Sequence, residues 1–151
     1  MKWVPAVIRV LLAAVFVLYG VLKLLGLQLT TGDMSELPFG KASPLQVTWY
    51  FFNLSPLYRY AIAAAQIGTG LLLLVPRTAA VGALCFFVII VNIVLINFGY
   101  DIALDVKILS SVLLALDCWL IGHYWRRYRL LVLPDAALDR LLGPKFKAAR
   151  D

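Results

Sequence analysis

Between Arg77 and Asp101 the chain runs for 23 residues without a charged side chain. Wound as a helix at about 1.5 Å per residue, that stretch is ~34 Å long, enough to cross the ~30 Å hydrocarbon layer of a bilayer. In hydrocarbon every backbone N–H and C=O must be paired within the protein, so a segment of this kind has to be helical. The rest of the chain agrees. Hydrophobic residues make up 63% and charged residues 15% of its 151 positions, against about 45–50% and ~25% in soluble domains. A chain of this size cannot enclose so much apolar surface. That excludes a soluble enzyme, a disordered chain and a soluble nucleic-acid module. The expected fold is all-α, an integral membrane antiparallel four-helix bundle.

Four spans of about 20 residues fit, at about 4–27, 57–75, 79–98 and 104–124. Residues 28–43 form a polar loop with Gly, Pro and three charges. The stretch 44–56 is too short to cross. Its Trp49, Tyr50, Phe51 and Phe52 suit a short interfacial or re-entrant helix between spans one and two, because amphipathic aromatic rings settle at headgroup level. Pro76-Arg77-Thr78 reads as a tight turn that makes spans two and three antiparallel neighbours. Residues 1–133 are thus expected to form a four-span transmembrane domain, with 134–151 a basic cytoplasmic tail.

With four passes, both termini share a side with Arg77. That side carries ten of the 14 Lys and Arg residues, and the positive-inside rule places it in the cytoplasm. The loop at 28–56 and the turn near Asp101 then face outward. The net charge of +6 crowds toward the C-terminus, so anionic lipid is the expected partner of the tail and nucleic acid is not.

Charges within the spans are costly and mark either function or a pair. Arg9 and Asp117 lie at similar depth in spans one and four. They are candidates for a structural ion pair; alternatively Arg9 snorkels to the headgroups and Asp117 pairs elsewhere. A second group gathers toward the outer face: Lys23, Gln66, Asn92, Asn97, Asp101, Asp105 and Lys107. Together they are a candidate ligand pocket, walled by residues 49–52. The competing reading is ordinary interface polarity with amides bonding helix to helix. Asp101 and Asp105, spaced i, i+4, would share one face of a helix. Their neighbouring lysines argue for a charge network, and no metal site is expected. Cys85 and Cys118 read as buried small hydrophobes, and Gly68, Gly70 and Gly82 as points of close helix approach.

Several of these residues also form a pattern. Arg9 with Tyr19-Gly20-x-x-Lys23 resembles the first helix of the DoxX-like membrane proteins. Trp49-Tyr-Phe-Phe-x-x-Ser55-Pro56 resembles their segment before the second helix. Gln66-x-x-x-Gly70 through Pro76-Arg77-Thr78 resembles the second helix and turn. Asn92, Asn97-Phe98-x-x-Asp101-Ile102, Val106-Lys107 and Asp117 follow in order. The resemblance covers about residues 5–120. It implies a four-helix protein of the bacterial inner membrane linked with quinone-dependent oxidoreductase systems. Gln66 stands where many of those proteins carry a carboxylate, which weakens a proton-relay role there.

Two functions are therefore expected. The first is a redox-linked subunit with no intrinsic cofactor, binding a quinone or similar lipid-soluble molecule in the outward pocket. The second is a non-enzymatic accessory or assembly factor working with a partner subunit or a second copy of the chain. A transporter is disfavoured, because no inverted repeat or broken midplane helix is visible. A thiol–disulfide enzyme is disfavoured by the absence of any CxxC.

Overall fold

The computed structural model describes residues 3–28 and 39–132. Regular structure among them is helical: α1 (Val4–Leu24), α2 (Pro44–Leu54), α3 (Pro56–Leu74), α4 (Ala79–Gly99), α5 (Leu104–His123) and α6 (Trp125–Val132), with one 3-10 turn at Phe39–Lys41. Helices α1, α3 and α4 are long and apolar enough to cross a membrane. The fourth expected span falls on α5, which carries Asp105, Lys107 and Asp117 within 20 residues. That charge load keeps it out of the set that length and composition alone mark. The tail at 134–151 lies outside the described residues.

Local chemistry sets the helix ends. The first apolar run extends to Leu27, but α1 stops at Leu24. Gly26 takes φ +70°, and the Leu27 N–H donates to Leu22 O at 2.9 Å. This glycine-centred cap folds the chain back over its own last turn. The same device ends α4, where Asp101 adopts φ +50° and the Ile102 N–H donates to Asn97 O at 2.9 Å. Aspartate tolerates that conformation better than most residues. At α2, Ser43 and Gln46 form a reciprocal capping box. Ser55 then serves as both the C-cap of α2 and the N-cap of α3, its Oγ accepting from the Tyr58 N–H. At the α3–α4 turn, Thr78 Oγ1 donates to Leu72 O at 2.9 Å.

The long helices form a ring: α1 packs on α3, α3 on α4, α4 on α5, and α1 closes against α5. The core fills the half of the ring nearer the N-terminus and the α3–α4 turn. Phe16 stacks on Phe86 with centroids 3.8 Å apart, and Leu12, Leu73, Ala83 and Leu120 are fully buried around them. Small residues let the backbones meet. A Cβ on Gly70 would lie 3.0 Å from Ala13 O, and one on Gly82 would lie 2.8 Å from Leu73 N. Gly68, by contrast, faces open space, so it is not one of the expected contact points.

Helix α6 is an element that the sequence reading left unassigned. It folds beneath the core, with Tyr124 and Tyr128 buried. Tyr128 Oη donates to Ala80 O at 2.7 Å, and Arg127 donates to Pro76 O at 3.3 Å. Burial pushes the Tyr128 hydroxyl up to about 12, so it remains a donor at any physiological pH.

Candidate functional site

Toward the α2 end the ring does not close on itself. It encloses a cavity of about 630 Å³ between α1, α2, α3, α4 and α5. Its walls are mostly apolar: Phe16 and Leu113 form the floor next to the core, and Ile89 and Ile93 form one side. Trp49, Phe51 and Phe52 of α2 close it from above. The aromatic run of α2 follows directly on the buried Thr48, which anchors this face of the helix toward the bundle.

Of the residues grouped as a candidate pocket, Lys23, Gln66, Asn92 and Asn97 line this cavity. Lys23 Nζ donates to Gln28 Oε1 at 2.7 Å and lies 5.8 Å from the Tyr19 ring centroid. Gln66 is 2% exposed, and its Oε1 has no hydrogen-bonding partner. Asn97 is satisfied: its Nδ2 donates to Ser110 Oγ at 3.0 Å, which joins α4 to α5 across the cavity edge. Gln28, Ser110 and Tyr19 belong to the site without having been expected there. Gln28 is reached only because Gly26 turns the chain back.

Asp101, Asp105 and Lys107 do not line the cavity. Asp101 sits in the α4–α5 turn before α5 begins, so it shares no helix face with Asp105. Both aspartates are exposed. Lys107 pairs with Asp101 and lies over the Phe98 ring at 5.8 Å. This network staples the turn. The Lys107 ammonium, hydrogen-bonded to Asp101, holds that carboxyl below its ordinary value of 3.8. A lowered folded-state value means the pair contributes above the unfolded-state value and is lost as acid protonates Asp101. Hydrogen exchange at residues 99–102, corrected for intrinsic rates, should therefore accelerate below about pH 4. Lys107→Gln should produce the same loosening at neutral pH. Exchange that ignores both changes would remove the staple.

The expected Arg9–Asp117 pair is not formed. Arg9 Nη2 reaches Leu74 O at 3.4 Å, where the free carbonyls at the end of α3 attract a cation. Asp117 is 0% exposed, and neither of its oxygens has a partner. It is turned into the core, close enough for its charge to act on Tyr128. Cys85 is half-buried and Cys118 exposed, so neither is the buried hydrophobe expected, and both are free thiols.

Residues 1–106 match a family described as methylamine utilisation protein MauE. The chain belongs to the MauE family. The uncharacterized protein YwoB of Bacillus subtilis (strain 168) is 40% identical over 116 residues, which cover 76% of this chain and 73% of that protein. No solved structure matches the chain. With three helices among the described residues long and apolar enough to cross a membrane, this MauE-family chain is a multi-pass membrane protein.

The MauE match overturns the DoxX-like assignment and leaves the quinone and oxidoreductase-subunit expectations that came with it without support. The structure supplies the physical reason. Part of the pattern that carried the resemblance does packing and capping work: Gly70 is a helix contact, Ser55 is an N-cap and Thr78 is a turn closer. Any tightly packed helical membrane protein needs residues of those types.

Proposed function

We propose that this MauE-family protein is a non-catalytic accessory protein of a membrane system, serving methylamine utilisation by receiving a partner protein at its α2 end. The description of the family supports the metabolic setting. The observation that carries the docking role is the surface where α2 meets α3. Phe51 of the cavity roof and the adjoining Leu54 and Leu57 are 60%, 63% and 79% exposed there. Large exposed apolar clusters of this kind mark interaction sites.

Within this reading α5 is the fourth pass of an antiparallel four-helix bundle, supported by its packing along α4 and α1. Both termini and the α3–α4 turn face the cytoplasm of a bacterial inner membrane. The placement of ten of the 14 Lys and Arg residues on that side supports this orientation. Helix α2 lies at the outer interface, and the basic tail at 134–151 rests on anionic lipid.

A photo-crosslinking amino acid placed at Phe51 in native membranes tests the reading. It should give one discrete heteromeric product. Deleting the gene should abolish growth on methylamine as sole nitrogen source, and restoring the wild-type gene should rescue it. An uncrosslinked monomer, a homodimer, or undiminished growth on methylamine would each count against it.

A further inference from the structure

The cavity holds two polar groups that the fold leaves without a matching partner. Gln66 is the deeper of them. It is almost wholly buried, lines the cavity and has an unpartnered Oε1. Buried polar atoms are nearly always met, so an unmet one asks what meets it. Lys23 stands nearer the mouth. Its partners, the Gln28 amide and the Tyr19 ring, are both neutral. Among the described residues Lys107 and Asp101 form an ion pair, and Lys23 takes no part in one.

Helix register places the two groups close in depth. Gly20 of α1 abuts Ala63 O and Ile67 of α3. Lys23 therefore lies about one helical turn, roughly 6 Å, nearer the α2 end than Gln66. One small head group can span that interval. A primary amide offers an acceptor and two donors. A carboxylic acid is their complement, with an O–H for Oε1 and a carbonyl oxygen for the amide N–H. The head binds in its protonated form, and the Lys23 ammonium above donates to its carbonyl oxygen. Beyond the head, Ile89, Ile93 and Leu109 offer an aliphatic path, and the volume of about 630 Å³ lies inside the ~300–1,000 Å³ range of small-molecule sites.

We propose that the cavity binds a long-chain carboxylic acid from the bilayer, its head between Gln66 and Lys23 and its chain against α4 and α5. This goes beyond the accessory reading and does not depend on it. A partner can dock on α2 whether or not the cavity is filled.

Trp49 lines the cavity, which supplies a local probe. The full-length protein with Trp3→Phe, Trp119→Phe and Trp125→Phe keeps Trp49 as its one tryptophan. In lipid nanodiscs it is titrated with dibromostearic acid, whose bromines quench only nearby indole, and separately with the methyl ester of that acid. The acid should quench saturably. The ester, which lacks the donor O–H, should bind about tenfold more weakly, as should the acid on Gln66→Leu. Lys23→Leu, which removes the donor to the carbonyl oxygen, should weaken acid and ester alike, whereas Gln66→Leu should leave the ester unchanged. Helical circular dichroism matching the parent qualifies each variant. Quenching that climbs without saturating, equal behaviour of acid and ester, or binding untouched by both substitutions would overturn the proposal.

Discussion

Leucine at Gly82 should pull α3 and α4 apart. A Cβ at this position would lie 2.8 Å from Leu73 N, 3.0 Å from Leu72 C and 3.1 Å from Leu72 Cβ. Two of those three atoms are backbone, and backbone in a helix cannot rotate away. The helices must separate to admit even one carbon, and leucine brings three more. Overpacking of this kind costs about 1–3 kcal/mol in ordinary cores; with rigid backbone opposite, the upper end of that range or more is expected. Reversible unfolding in mixed micelles titrated with dodecyl sulfate measures it. Gly68→Ala is the control. Nothing lies within 4 Å of its added Cβ, so it should be neutral or gain up to ~1 kcal/mol of helix propensity. Equal stability of Gly82→Leu and the parent would refute the register of α3 on α4.

Asp117→Val should stabilise the protein by about 2 kcal/mol, because it removes a buried acid whose hydrogen-bonding groups are unmet. Asp117 is wholly enclosed, and both of its oxygens lack partners. Arg9, the basic residue at similar depth, is engaged at Leu74 O. A double-mutant cycle separates this from the pairing picture. Arg9→Ala should cost little, and its effect should be the same in the parent and in the Asp117→Val background, within about 0.5 kcal/mol. Coupling well above that would restore the ion pair. A stability gain from Asp117→Val accompanied by loss of the Phe51 crosslink would mark Asp117 as kept for function at the expense of stability.

Helix content and order were legible in the sequence, because a bilayer span imposes length and apolarity on consecutive residues. Span two differs from α3 by one residue at each end. The aromatic segment does become a helix, and the Ser43–Gln46 capping box that starts it is a local signal the aromatic argument did not use. Legibility fell where structure depends on partners distant in sequence. Depth along a helix can be counted, which brought Lys23, Gln66, Asn92 and Asn97 to one region. Azimuth around the helix cannot be counted without knowing the neighbours. That is why Asp101, Asp105 and Lys107 were grouped with a cavity they do not face. It is also why Arg9 and Asp117, at similar depth, point to different neighbours. Ser110 joins the site through a hydrogen bond to Asn97, 13 residues earlier, and no local pattern signals it. Family membership was the hardest to read, since the quoted motifs serve packing that unrelated helical membrane proteins share.

The joint at Ser55 and Pro56 has a mechanical meaning. Ser55 caps both helices and holds φ −110° and ψ 111°. A residue before proline is confined near that extended conformation, and Pro56 fixes its own φ. The angle between α2 and α3 is thus set at two adjacent residues and held by contacts across the joint, where Arg59 donates to Asn53 Oδ1 at 2.8 Å and Phe52 stacks on Tyr58. The aromatic roof behaves as a bracket cut to a fixed angle, cantilevered from α3. A bracket of this kind should move with α3 as one part when the bilayer thins or thickens around it.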